Sequence, residues 1–428
     1  MELVSKLRKR SAEGDPIRVG IVGCGQMGSG LAHTIHNVEG MRVAAIADMD
    51  PGRGIGTYRD MGHAADDIVV TDDLGQAEDA IRAGRPVVTP NALAMPALEG
   101  LEALVEVTGV PDVGARVAYE AIMARKPIVM MNVETDITIG LYLDRLARRS
   151  GAIYTVASGD EPGVCKMLWE QALLMGFEVV TLGKGKNNVI DLAATAASCA
   201  EEAAGKGMNP KMLAAFKDGT KTMVEMAAVA NSTGLLPDVP GMHGPKVEVE
   251  DLEKVFIPAE DGGILSRSGC VDYSTGAIAP GVFAIVRSYD ARIRTEMKFI
   301  THAEGPYYLH FRPYHLCDLE TPQSIAEAVL LGEVTATAEA MHAEVVCTAK
   351  RDLSPGDRLD GIGGTDWHGT ITTYPDARAR RAVPIGIGSG AVVRRPVARG
   401  ATITEDDVTV DESTFVCRLR RLQDALYA

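Results

Sequence analysis

The sequence predicts an α/β protein: a doubly wound parallel sheet first, then a mixed α+β domain, then a small, mainly β module. Three observations carry this expectation. From Ile17 to about Thr155, short apolar runs alternate with helical stretches, as a parallel sheet with crossover helices requires. Between Ala157 and His342 that alternation gives way to isolated strands, two helices and Gly/Pro-rich loops. From Ala343 the strands shorten and turn signals crowd together, at Ser354-Pro355-Gly356-Asp357, Gly361 to Gly364, Gly386 to Gly390 and Arg399-Gly400. The expected domains are therefore 1–156, 157–342 and 343–428.

Each element has a local reason. Leu3, Val4 and Leu7 share one face of a short amphipathic helix. Ile17 to Val22 is a β-branched run that leads into Gly23-Cys24-Gly25-Gln26-Met27-Gly28 and a helical stretch from Ser29 to Asn37. A second apolar run, Arg42 to Ala47, closes on Asp48, which lies 20 residues past the last glycine. This is a G-x-G-x-x-G in its full βαβ context. Gly23 permits the tight turn, Gly25 lets the backbone approach a pyrophosphate, and Gly28 lets helix and strand pack closely. The helix N-terminus offers N–H groups and a positive dipole end to phosphates. An acid at Asp48 can accept hydrogen bonds from an adenosine ribose diol. The pattern points to a Rossmann-type dinucleotide site.

After a polar, Gly-rich stretch through Gly62, the reading places a strand at Ile68 to Val70 and a helix from Gly75 to Ala83. Leu104 to Gly109 reads as a buried strand whose end, Thr108-Gly109-Val110-Pro111, turns at the carboxyl edge of the sheet. Ligands bind at that edge in such folds. Ala115 to Ala124 reads as helix, Pro127 to Met131 as a strand ending in Asn132-Val133-Glu134, and Gly151 to Val156 as the closing strand. In the middle domain, strands are expected at Phe177 to Leu182 and Gly281 to Val286, with helices at Met212 to Phe216 and Thr222 to Ala230.

Composition narrows the function. A net charge of −15 argues against nucleic acid or an anionic membrane surface as partner. No apolar run approaches the roughly 20 residues that a bilayer span needs, and the basic N-terminus has no apolar segment of a secretory signal behind it. The seven cysteines are scattered without a C-x-x-C pair, so reduced thiols in a cytoplasmic protein are expected. The histidine spacing fits no zinc signature, and no metal ligand is assigned.

Four polar clusters stand out beyond the glycine loop. Gly183-Lys184-Gly185-Lys186-Asn187-Asn188 follows an apolar strand and reads as a glycine-flexed loop able to cradle an anion or a polyol. Asp218-Gly219-Thr220-Lys221 precedes an apolar helix carrying Glu225 at i+4 from Lys221. That pair is either a surface ion pair or a proton-transfer device on a buried helix. Ser158-Gly159-Asp160-Glu161 ends a strand and opens a helix, as a cap or a substrate contact. His243 sits in the tight loop Gly241 to Pro245, and the run Pro306 to His315 interleaves aromatics with His310, Arg312 and His315. His310 alternates with Phe311 as a structural histidine would, and Arg312 can clamp a carboxylate or phosphate.

Three resemblances rest on these residues. The N-terminal part resembles the dinucleotide-binding domain of the homoserine dehydrogenase family. Glu344 to Val408 is similar to a SAF domain, through Val345 to Asp357, Val383-Pro384-Ile385-Gly386 and Arg399 to Thr404. Nearly the whole chain resembles the 1-deoxy-D-xylulose 5-phosphate reductoisomerase-like proteins, through Met130 to Glu134, Gly159 to Pro162, Gly183 to Asn188, Lys221 to Asn231, Gly241 to Pro245 and Gly305 to Leu316. The resemblance implies a nicotinamide-dependent oxidoreductase, a homo-oligomer, that can couple rearrangement of a ketol to hydride transfer. Homoserine dehydrogenases would show a lysine after Asn132, where this chain has Val133. Asp48 and Asp50 would repel a 2′-phosphate that the nearby Arg53 can offset only in part, so NAD is expected over NADP.

The combined expectation is a cytoplasmic NAD(P)-dependent oxidoreductase acting on a small polyhydroxylated carbonyl compound, acid or sugar phosphate. Gly23, Gly25, Gln26, Met27, Gly28 and Asp48 would hold the coenzyme, with Thr108, Gly109 and Asn132 at its nicotinamide end. Glu161, Lys184, Lys186, Asn187, Asn188, His243, Arg312 and His315 would bind substrate. Lys221 is the first choice for proton transfer or carbonyl polarisation, with Glu225 tuning it and Lys184 beside them. Two rivals share these residues: a lyase or isomerase that recycles its nicotinamide, and a non-catalytic NAD-binding regulator whose last module recruits a partner or sugar.

Overall fold

In the computed structural model, which describes residues 2–427, the chain packs as two units. The first comprises residues up to Asp160, Leu316–Thr337 and the stretch from Glu412 onward; the second comprises Glu161–His315 and Ala338–Asp411. Residues 343–428 are thus divided, the last part returning to the first unit.

The first unit is built on seven parallel strands: β1 (Ile17–Val22), β2 (Met41–Ala47), β3 (Val69–Val70), β4 (Val87–Thr89), β5 (Ala103–Glu106), β6 (Ile128–Met130) and β7 (Tyr154–Val156). Their order is β3-β4-β2-β1-β5-β6-β7, with every pairing parallel. The direction of strand addition reverses at β1, the switch point outside which ligands bind in this architecture. The expected doubly wound α/β fold is therefore present, together with further mixed sheets.

Three elements differ from the sequence reading, each for a physical reason. The Gly-rich stretch after Asp48 forms a helix, Pro51–Asp60, because the Asp50 side chain accepts the Gly52 N–H and Pro51 occupies the first turn. Gly54 packs closely there, since a Cβ would lie 3.0 Å from Val88 Cγ1 on the sheet. Strand β4 is hidden between Pro86 and Pro90. The helix Val133–Ser150 follows β6 directly, started by Asn132, whose side chain accepts the Thr135 N–H at 3.1 Å. The chain's last helix, Phe415–Tyr427, packs on this one and on Pro111–Met123. The fully buried Gln423 fastens it, donating to Thr138 O at 3.0 Å and accepting the Tyr142 N–H at 2.9 Å.

The second unit holds a five-stranded mixed sheet of β8 (Glu178–Gly185), β9 (Leu236–Pro237), β10 (Cys270–Ser274), β11 (Val282–Arg287) and β12 (Tyr307–Arg312), ordered β12-β11-β8-β10-β9. One face carries Val180, Phe283 and Ile285 into an apolar core with Leu252 and Phe256. The other face is covered by the helices Glu161–Leu174 and Thr220–Thr233. β8 extends to Gly185, so Gly183, Lys184 and Gly185 are strand and not loop. The two glycines serve close packing: a Cβ on Gly183 would lie 2.2 Å from Phe283 Cζ, and one on Gly185 2.2 Å from the Ala279 nitrogen. Beyond this sheet, β13 (Ala343–Ala349) and β14 (Trp367–Thr373) form an antiparallel pair in the same unit.

Candidate functional site

The glycine loop of the first unit has the geometry that its sequence demands. Gly23 turns with φ +98°, a conformation open to glycine at no steric cost. Gly25 faces open space, with nothing within 4 Å of a built Cβ, whereas a Cβ on Gly28 would lie 2.0 Å from Gly23 O. The helix Gln26–His36 starts at Gly25 with no side-chain cap, so its first N–H groups remain available to an anion. Gln26 and Met27 are exposed on this first turn. Asp48 braces the loop: Oδ2 accepts the Cys24 N–H at 2.7 Å and Oδ1 the Asp50 N–H at 2.9 Å. Arg53 lies 3.8 Å from Asp50 in an exposed pair.

At the end of β5, the structure adds a residue that the sequence pattern does not mark. Glu106 is fully buried. Its Oε1 accepts the Thr108 N–H at 2.9 Å and the Thr108 hydroxyl, while Oε2 is sealed from solvent beside Asn132 without a well-aligned donor. Burial pushes the Glu106 carboxyl up to about 7, against the Thr108 hydrogen bonds. Gly109 adopts φ +65°, and Asn132 Nδ2 donates to Val110 O at 3.3 Å. Glu106 thus braces Thr108, while Asn132 holds the neighbouring Val110 carbonyl at the same strand edge. A carboxylate inside a strand pattern looks like any other strand residue, so no sequence signal singles it out.

The second unit gathers a cluster of charges that the sequence scatters over about 150 residues. Lys184, near the end of β8, donates to both Glu161, at the start of its helix, and Glu225, in the middle of Thr220–Thr233. All three are buried. Burial disfavours the ammonium, but the Glu161 and Glu225 carboxylates outweigh it and hold Lys184 above its ordinary range. Glu225 is raised by burial and by Glu161, with Lys184 opposing. His315 joins the cluster, its Nε2 3.2 Å from Glu161 Oε1. Lys221 stands half-buried one turn before Glu225 and acts on it electrostatically, while the direct ion-pair partner of Glu225 is Lys184.

The cross-strand register shows what shares that face. Val282 pairs with Arg312 on one side and Lys184 on the other, and Lys184 pairs with Tyr273. Side chains in one register row point to one face, so Arg312 and Lys184 belong to the same face. Arg312 lies over the Tyr314 ring, 4.8 Å from its centroid. Lys186 is buried two residues on, donating to Asn188 Oδ1 at 3.1 Å and to Phe216 O at 2.5 Å. Asn187 is exposed, and Asn188 Nδ2 donates to Val189 O at 2.7 Å. His243 is drawn into a separate arrangement. Its ring pairs with Asp238 at 2.8 Å and its backbone N–H donates to Asp272 at 3.1 Å. Glu161 and Glu225 are among the buried carboxylates that could hold a divalent cation, and Lys184 spans them.

Residues 159–321 match the family described as oxidoreductase DRL, catalytic domain. The match marks the chain as an oxidoreductase enzyme, and the ion cluster lies within it. No curated protein matched the sequence. Among solved structures, an oxidoreductase from Agrobacterium radiobacter in complex with NAD+, L-tartaric acid and magnesium is 13% identical, covering 75% of this chain and 91% of its own, at a TM-score of 0.41. A myo-inositol dehydrogenase from Lactobacillus casei in complex with NAD(H) and myo-inositol is 14% identical, covering 64% of each chain, at a TM-score of 0.34. Among the described residues, no helix is long and apolar enough to cross a membrane.

The glycine loop and Glu106 each yield an expected outcome. Gly28→Ala must displace the Gly23 carbonyl and is expected to cost about 1–3 kcal/mol in urea unfolding, whereas Gly25→Ala should leave stability within about 0.5 kcal/mol. Glu106 binds its proton more tightly folded than unfolded. Its contribution is complete below pH 4.5 and is lost as pH rises to about 7. Glu106→Gln should therefore flatten the decline in stability across that window by on the order of 2 kcal/mol, measured as denaturation midpoints at pH 5 and pH 8.

Proposed function

We propose that the protein is an NAD(P)-dependent oxidoreductase that interconverts a hydroxyl and a carbonyl on a small polyhydroxylated compound or acid. The observation that carries the reading is the buried Lys184, pinned between Glu161 and Glu225 inside the matched oxidoreductase domain. The G-x-G-x-x-G supports the coenzyme, because Gly23, Gly25 and Gly28 each meet the steric condition for a dinucleotide loop. Gln26 and Met27 offer backbone N–H groups to its phosphates, Asp48 would accept the ribose diol, and Thr108, Gly109 and Asn132 would line its nicotinamide end. The bound nicotinamide would supply the hydride acceptor or donor.

The protein's own residues would do the rest. Arg312, on the face of Lys184, suits a carboxylate or phosphate of the substrate, and Asn187, Asn188 and His315 suit its hydroxyls. Lys184 would present a fixed cation to developing negative charge on oxygen. Lys221 would add positive potential at Glu225. The coupling of a ketol rearrangement to hydride transfer, and with it 1-deoxy-D-xylulose 5-phosphate as substrate, is the finer proposal that the family resemblance adds. The SAF-like segment and a homo-oligomeric state rest on the same resemblance. The helix Ala291–Thr301, which buries none of its side chains and leaves Phe299 78% exposed, supports the latter.

Fluorescence titration with NADH and NADPH, then absorbance at the nicotinamide band with 1-deoxy-D-xylulose 5-phosphate and a panel of sugar acids, tests the reading. NADH is expected to bind more tightly. Asp48→Ser should raise NADPH affinity on the order of tenfold by removing the carboxylate repulsion, and should weaken NADH. Binding of neither coenzyme would overturn the proposal, and unchanged selectivity in Asp48→Ser would remove Asp48 from it. Lys184→Met should abolish turnover and cost about 3–5 kcal/mol of stability by stranding two buried carboxylates.

A further inference from the structure

The first unit carries a second polar cavity, at the opposite edge of its sheet from the glycine loop. That loop follows the carboxyl end of β1, whereas the cavity lies where β2 and β4 begin, between residues 41–44 and residues 84–86. It encloses about 150 Å³, the liquid volume of about five waters. His36, at the end of the helix Gln26–His36, and His63, just past the helix Pro51–Asp60, line it with Arg42 and Arg85, and no carboxylate does. In a chain with a net charge of −15, this local balance is the reverse of the whole.

Arg42 is the most exacting of these groups. It is half-buried. Its Nε is sealed from solvent without an acceptor, Nη2 donates to the Ile81 carbonyl at 3.0 Å, and Nη1 donates to none of the described residues. The Ile81 bond satisfies a carbonyl in the last turn of the helix Leu74–Arg82 and leaves the guanidinium charge uncompensated. Gly84 keeps Nη1 uncovered, since a Cβ there would lie 3.2 Å from it. Other buried cations of this chain have a carboxylate: Arg420 has Asp424 at 2.9 Å, and Lys350 has Asp218 at 2.7 Å. Arg85 bonds the backbone carbonyls of Asp66 and Asp67, at 2.7 and 3.2 Å. The His36 and His63 rings stand edge to face with centroids 6.4 Å apart. Burial and then the His36 ring disfavour the charged form of His63, against the pull of Asp67.

We propose that this cavity is a binding site for a small oxyanion of phosphate size, held by the Arg42 and Arg85 guanidiniums and the His36 and His63 rings. A guanidinium offers a planar fork of N–H donors that matches the oxygens of such an anion. An imidazole donates an N–H in either protonation state. Pockets for larger ligands run from about 300 Å³ upward, so the occupant is the free ion or the end group of a small ester. The site lies within one unit and needs neither coenzyme nor substrate.

The test titrates the full-length protein with sodium phosphate and sodium sulfate, against chloride at equal ionic strength, by calorimetry and by nitrogen-15 spectra of the histidine rings. One saturable site is expected, with the His36 and His63 signals shifting together and no response to chloride. Arg42→Met should weaken phosphate on the order of tenfold or more, and His63→Gln by less. Glycerol 3-phosphate separates the two sources of the oxyanion: affinity equal to that of phosphate assigns an ester, and rejection assigns the free ion. The glycine loop also attracts phosphate, so the titration is repeated with NADH present. Phosphate binding that NADH abolishes, that leaves both histidine signals unmoved, or that survives unchanged in Arg42→Met overturns the proposal. If Arg42→Met does not fold, Arg85→Gln takes its place, and unchanged affinity in both Arg85→Gln and His63→Gln overturns it equally.

Discussion

The second unit is organised by one buried ammonium. Lys184 reaches two carboxylates from two different helices, so its strand and both helices are bound to a common electrostatic centre. None of the three groups is tolerable alone in a dry interior, since an isolated buried charge costs several kcal/mol. The cluster is stable only as a set. That mutual requirement fixes the helix Glu161–Leu174 at its first turn and Thr220–Thr233 at its middle, over the same face of the sheet. The glycines on either side of Lys184 let Phe283 and the Ala279 backbone close over the strand. The segment is closely packed strand where the sequence suggests a glycine-flexed loop.

Much of the first unit is legible in the sequence because its signals are local. The glycine loop, its strand and its acid lie within one continuous stretch, and the spacing of the glycines alone assigns each its steric role. The helix Pro51–Asp60 is concealed because three glycines lower helix propensity by roughly 1 kcal/mol each, and that count ignores the Asp50 cap and the proximity of the sheet. β4 is concealed because two prolines flank three residues. The long helix after Asn132 is concealed because its apolar and charged residues from Val133 to Leu141 are buried together, which blurs the amphipathic period.

The charge cluster is legible only in part, for a different reason. Lys184, Glu161, Glu225 and His315 are each marked by residue type and position, but their pairing is set by tertiary contacts. Lys221 and Glu225 look like partners because i,i+4 spacing is visible in a sequence, while the pairing of Glu225 with Lys184 across 41 residues is not. His243 likewise carries a plausible chemical signature, and its loop instead locks the ring onto Asp238. A sequence displays which groups are present; the fold decides which of them neutralise each other.

That division explains why two lysines at one strand end have different surroundings. A lysine between two carboxylates is a fixed charge, with an ammonium that persists across the accessible pH range. A lysine two residues on has only neutral hydrogen-bond acceptors, the Phe216 carbonyl and the Asn188 amide oxygen. The difference arises from topology: Glu161 and Glu225 converge on position 184 because the two helices pack on one face of β8, and Asp218, which could have served position 186, is instead buried against Lys350. The Asp218–Lys350 pair thus leaves Lys186 bonded to neutral acceptors, two residues from a lysine bonded to two carboxylates.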